Sequence, residues 1–117
     1  MISPDKVIVF DVDDTILTTE NRDYKNSKPI PEIVDGIKRL KKNGWTIVLH
    51  TSRGMGRGNG YIEGIANEVR AEIDSFCTKH NVPYDQLILG KTWATVYVDD
   101  KAMTPSIFLE NIDTFIE

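Results

Sequence analysis

A short apolar strand that runs straight into three carboxylates constrains this chain more than any other feature. Val7–Phe10 (V-I-V-F) is apolar throughout and largely β-branched, the pattern of a strand covered on both faces. It stops at Asp11, Asp13 and Asp14, with the hydroxyl of Thr15 next. Three acids within four positions repel one another, so a fold that keeps them together needs a counter-charge. A divalent cation held by oxygen ligands is the natural one. Taken alone, D-x-D is more often an ordinary solvated strand end with an Asx turn. Features further along the chain decide between the two.

From there strand and helix patterns alternate. Ile16–Ile30 is polar and irregular, an excursion above the strand end that Pro29-Ile30-Pro31 closes. Pro31 suits a first helical turn, and Ile33, Ile37 and Leu40 recur at helical spacing. Lys38, Arg39, Lys41 and Lys42 then form a solvated face, and Asn43-Gly44 ends the helix with a left-handed cap. Trp45–His50 reads as a second buried strand, leading into Thr51-Ser52-Arg53. Gly54–Gly60 has a glycine at every second position, and a long helix follows with the stripe Ile62, Ile65, Val69, Ile73, Phe76 and Cys77. Asn81-Val82-Pro83 breaks that helix. Gln86–Leu89 is a third strand, Gly90-Lys91 a turn, and Thr95–Val98 (T-V-Y-V) a fourth strand ending in Asp99-Asp100. Thr104-Pro105 supplies a cap and first turn for a last helix that buries Phe108, Ile112 and Phe115.

This alternation predicts an α/β fold, a doubly wound three-layer parallel sheet, in a single domain of 117 residues. A net charge of −4 argues against a nucleic-acid surface, and no stretch reaches the ~20 apolar residues of a membrane span. The single cysteine, Cys77, falls on the core stripe and reads as a small buried hydrophobe; it fits a reducing, cytoplasmic setting, and no secretory leader is visible.

Ligands of such sheets sit beyond the carboxyl ends of the strands, where the strand order reverses. Those ends carry Asp11 and Asp13, then Thr51, then Lys91, then Asp99-Asp100. Two acids, a hydroxyl, a lysine and a second acid pair converging on one crevice are the parts that phosphoryl transfer through a carboxylate nucleophile requires. One acid attacks phosphorus and another moves the leaving-group proton, while cations and a hydroxyl hold the equatorial oxygens.

The phrases D-V-D-D-T, L-H-T-S-R, G-K-T-W and Y-V-D-D resemble, in order, the four motifs of the haloacid dehalogenase superfamily of phosphatases, over about Lys6 to Pro105. T-S-R-G-M, P-Y-D-Q-L-I-L-G-K and Y-V-D-D-K-A further resemble small bacterial members called capsule-biosynthesis phosphatases. The resemblance implies a Rossmannoid fold, with Asp11 as nucleophile and Asp13 as general acid/base. It implies Thr51 bonded to the phosphoryl group, and Lys91 neutralising it and keeping Asp11 ionised. It also implies Mg²⁺ on Asp11, the carbonyl of Asp13 and Asp99, with Asp100 direct or through water. Asp14 departs from the glycine of many members. Neither insertion point has room for a cap domain, so the chain resembles a capless member.

Ser52 competes with Thr51 as phosphoryl ligand, since strand alternation points only one inward. Arg53 and Arg57 border the glycine-rich loop as candidates for an anionic substrate group, with Asp23 and Tyr24 in the excursion as further contacts. The glycines match neither a dinucleotide nor a nucleoside-triphosphate fingerprint. His50 and His80 read as structural. The expected substrate is a small phosphorylated molecule, a sugar phosphate of polysaccharide metabolism, with no nucleic-acid or membrane partner and with self-association closing the open site. The alternatives are a phosphatase of macromolecules and a phospho-accepting receiver switch. The switch needs its aspartate at the end of the third strand, where none ends Gln86–Leu89.

Overall fold

The structure is a computed structural model that describes residues 6–57 and 62–116. The second half of the glycine-rich loop, Gly58 and Gly60 included, lies outside the described residues. Strand β1 (Val7–Phe10) pairs in parallel with β4 (Thr46–His50), which pairs in parallel with β5 (Gln86–Ile88). Ile47, Val48 and Leu49 are all buried, so both faces of the central strand are covered.

One cover is α1 (Pro31–Lys42) with the two short C-terminal helices, α3 (Pro105–Glu110) and α4 (Ile112–Phe115). Phe108 meets Phe10 edge-on at 5.3 Å between centroids, and Gly36 lets Ile112 and Phe108 approach the α1 backbone. Pro31 occupies the first turn of α1 as the sequence predicts, and Gly44 follows its end at φ +86°. Thr104 caps α3, accepting the Ile107 N–H at 3.3 Å. Helix α2 (Ala66–His80) buries Val69, Ile73, Phe76 and Cys77. It starts later than the apolar stripe suggests, since Ile62–Ile65 form a turn around Gly64, and it ends on left-handed Asn81. Burial pushes the Cys77 thiol up to about 11, in keeping with an inert core residue.

The excursion contains a two-residue-per-strand hairpin, β2 (Leu17–Thr18) against β3 (Lys28–Pro29), around a 3-10 turn at Tyr24–Asn26. Its apolar foot, Ile16 and Leu17, is wholly buried.

One expectation needs correction. Thr95–Val98 is not a strand, and among the described residues the sheet has three strands in the order β1-β4-β5. Its order therefore does not reverse, and the expected switch point falls at the unpaired edge of β1, where Val9 is 56% exposed. The physical reason is local competition. The Tyr97 hydroxyl donates to the Thr92 carbonyl and accepts from the Ala94 N–H, closing residues 92–97 into a loop of their own. Parallel pairing to a strand some ninety residues earlier would have to displace that closure. No helix among the described residues is long and apolar enough to cross a membrane.

Candidate active site

The three paired strands end on one edge, and that edge carries the chemistry. Asp11 follows β1 directly, and Thr51 follows β4, where its N–H still pairs with the Ile88 carbonyl at 3.0 Å. The Lys91 N–H in turn donates to the Thr51 carbonyl at 3.1 Å, so the lysine is anchored beside the hydroxyl. Thr51 is 1% exposed, and its Oγ1 accepts the Arg53 N–H at 3.0 Å, which leaves the hydroxyl proton available to a ligand. Ser52 is the more exposed of the two hydroxyls.

Asp11, Thr15, His50, Lys91 and Asp99 share a cleft of about 1040 Å³ that is also lined by Val7–Phe10 of β1. Burial pushes the Asp11 carboxyl above its ordinary value, against the Val12 N–H and Lys91, which favour its charged form. The Lys91 ammonium rests 4.2 Å from the Tyr97 ring centroid. Burial, then Lys91, holds His50 below the usual imidazole value.

Asp13 is engaged differently. Arg53, 3% exposed at its side chain, donates from Nη2 to Asp13 Oδ1 at 2.7 Å and from Nε to Oδ2 at 3.1 Å. The same guanidinium lies 3.6 Å from Glu72 on α2 and 4.4 Å from the Tyr24 ring centroid. Arg57 sits 5.3 Å from that ring centroid and bonds Glu68 at 3.1 Å and both Glu72 oxygens at 3.1 and 3.2 Å. Both arginines flanking the glycine-rich loop thus have acidic partners. Gly54 makes the approach possible: at φ +90°, a Cβ there would stand 2.7 Å from both Ile65 and Val69. Glu72 escaped the sequence reading, although Glu68 and Glu72 lie one helical turn apart beside two loop arginines, which is a readable signal. Tyr24, expected as a substrate contact, instead lies under both guanidinium groups.

Asp99 lines the same cleft as Asp11, Asp100 does not, and neither joins the first acids in a cluster. Both are exposed, Asp99 accepts the Lys101 N–H at 2.8 Å, and among the described residues no three metal-binding side chains cluster. Their oxygen-only chemistry suits Mg²⁺, but in this arrangement they do not form a cage with Asp11.

An α/β domain with acids, a buried hydroxyl and a lysine on one sheet edge has the fold of several known proteins. It matches D,D-heptose 1,7-bisphosphate phosphatase from B. bronchiseptica, solved with magnesium and phosphate, at TM-score 0.51 and 20% identity, over 83% of this chain and 54% of that one. It also matches a chain of a Pnkp1/Rnl/Hen1 complex at TM-score 0.56 and 24% identity, over 92% of this chain and 34% of that one. An MCSG target protein from Vibrio cholerae matches at TM-score 0.85 and 30% identity, over 94% of this chain and 95% of its own. The present chain belongs to the same family as that Vibrio cholerae protein. No protein-family model and no curated protein matches the chain.

Proposed function

We propose that the chain is a phosphomonoester hydrolase of the haloacid dehalogenase type, working through an aspartyl-phosphate at Asp11 on a sugar phosphate of polysaccharide metabolism. The observation that carries this reading is the edge itself: Asp11 and Thr51 directly follow two paired parallel strands, Lys91 comes just past the third with its N–H on the Thr51 carbonyl, and Asp11 and Lys91 line one cleft. The fold likeness to a phosphatase supports it.

In the first step an Asp11 oxygen attacks phosphorus, the ester P–O bond breaks, and Asp13 gives its proton to the departing alcohol oxygen. In the second, Asp13 takes a proton from water, the new hydroxide attacks phosphorus, and phosphate leaves with Asp11 restored. Thr51 donates its hydroxyl proton to an equatorial oxygen, and Lys91 offsets the charge there. Ser52 and Arg57 border the substrate side. Arg53 sets the orientation of Asp13, and one of its two hydrogen bonds must yield when Asp13 carries a proton. Mg²⁺ would supply counter-charge to the phosphoryl oxygens, and Asp11, the Asp13 carbonyl, Asp99 and Asp100 are the oxygen donors that would hold it.

Purified protein with Mg²⁺ should hydrolyse para-nitrophenyl phosphate, and Asp11→Asn should lower turnover by about a thousandfold or more. Acid-quenched wild type should carry an acid-stable, hydroxylamine-labile phosphate that the variant lacks. Turnover by Asp11→Asn at the wild-type rate overturns the assignment.

A further inference from the structure

A second cavity, of about 170 Å³, is lined by Asp13, Asp14, Thr19, Arg22 and Tyr24. It is smaller than the roughly 300 Å³ of pockets that take drug-sized ligands, so it has room for about one ring-sized group. Its walls are held from behind. Thr19 and the buried Ser27 hydroxyl bond at 2.7 Å, and Tyr24 has two guanidinium groups within 5.3 Å of its ring centroid.

Arg22 is the exception among the arginines near the site. Its guanidinium has no ion pair or hydrogen bond among the described residues, whereas Arg53 and Arg57 are each tied to two acids. It is also presented at a conformational cost. Asn21 and Arg22 sit at φ +52° and +59°, and the Asp23 N–H closes on the Glu20 carbonyl at 2.9 Å, the pattern of a type I′ turn. Glycine or asparagine suits the second central position; arginine there costs about 1 kcal/mol. Arg22 is exposed to water and is the one cation among the cavity's lining residues, opposite Asp13 and Asp14, which places it to meet an anionic substituent of a ligand whose hydroxyls face the acids.

We propose that this cavity is the leaving-group subsite, and that the leaving group is a polyhydroxylated one carrying a second anionic substituent that Arg22 binds. The inference rests on the phosphatase reading, since Asp13 marks the side from which the alcohol departs. Arg22 donates to the second anion and Asp14 accepts from a hydroxyl. The Thr19 and Tyr24 hydroxyls serve the remaining polar atoms. A neutral sugar would leave Arg22 unmatched, and a simple dianion would leave Asp14 opposed.

The test compares matched substrates with wild type, Arg22→Ala and Arg22→Gly. Fructose 1,6-bisphosphate is set against fructose 6-phosphate, and 6-phosphogluconate against sorbitol 6-phosphate, which separates a second phosphate from a carboxylate. Wild type should favour the doubly anionic member of at least one pair by about tenfold or more in kcat/KM, the factor of one charge-assisted hydrogen bond. Both variants should bring that ratio toward unity. Arg22→Gly should also melt no lower than wild type, because glycine relieves the left-handed position. A ratio that survives in Arg22→Gly, or a wild type with no anionic preference in either pair, overturns the subsite while hydrolysis itself upholds the phosphatase reading. Hydrolysis of none of the four, nor of para-nitrophenyl phosphate, overturns both.

Discussion

Asp13 and Arg53 illustrate how much a single contact changes a reading. By residue type and position each looked like a separate functional element, an acid after the first strand and a cation for the substrate. The structure joins them in a two-pronged pair and ties the arginine on to Glu72. That link was out of reach of the sequence, because Asp13 and Arg53 are forty positions apart and only the β1–β4 pairing brings them together. Arg53 is nearly closed off from water whereas Asp13 keeps about a third of its surface, so the pair is half-buried rather than sealed. Removing the guanidinium leaves Glu72 to Arg57 alone and frees Asp13 to swing. Arg53→Ala should therefore cost about 2 kcal/mol in chemical denaturation, below the 3–5 kcal/mol of a fully buried pair. Arg53→Lys should recover part of the stability. It should recover turnover less well, because one ammonium cannot hold both carboxylate oxygens. Equal turnover in the lysine variant and wild type would show that the two-pronged hold on Asp13 is dispensable.

At the scale of elements, periodicity read well wherever one segment chooses its own state. The helix opened by Pro31, the strand ending at His50 and the cap at Thr104 all stand where residue pattern placed them, since caps and apolar spacing are local properties. Thr95–Val98 failed because a strand is a relation between two segments, and alternation in one of them cannot show whether its partner is reached. Gly54 lies between these cases. Its place after the second strand marked a turn, but the close seating of the loop on α2 appears only in the fold. Gly54→Ala combines a left-handed backbone with contacts of 2.7 Å to Ile65 and Val69, so it should destabilise by about 2–3 kcal/mol. Thermal melting checks the magnitude. Activity should fall with stability, because lifting α2 away also lifts Glu72 from Arg53.

For the whole molecule, the open question is how the two acid pairs relate. Asp11 and Asp99 line one cleft, yet Asp99 and Asp100 ride on residues 92–103, a stretch with Trp93 73% and Val98 96% exposed. Apolar side chains left in water beside an unpaired strand edge favour closure, and the Tyr97 loop opposes it. A cation shared by Asp11 and Asp99 would tip that balance, since it binds the closed arrangement and not the open one. Trp93 reports on this directly once the other tryptophan, Trp45, is replaced by phenylalanine, a change that loses one hydrogen bond to the Phe115 carbonyl. In that variant Mg²⁺ should blue-shift the Trp93 emission and lower its quenching by acrylamide, and a chelator should reverse both while leaving the far-ultraviolet circular dichroism nearly unchanged. Asp99→Ala should abolish the response. Magnesium-dependent hydrolysis with Trp93 as quenchable as before would mean that the metal is held by the first acids alone, and would remove Asp99 and Asp100 from its ligands.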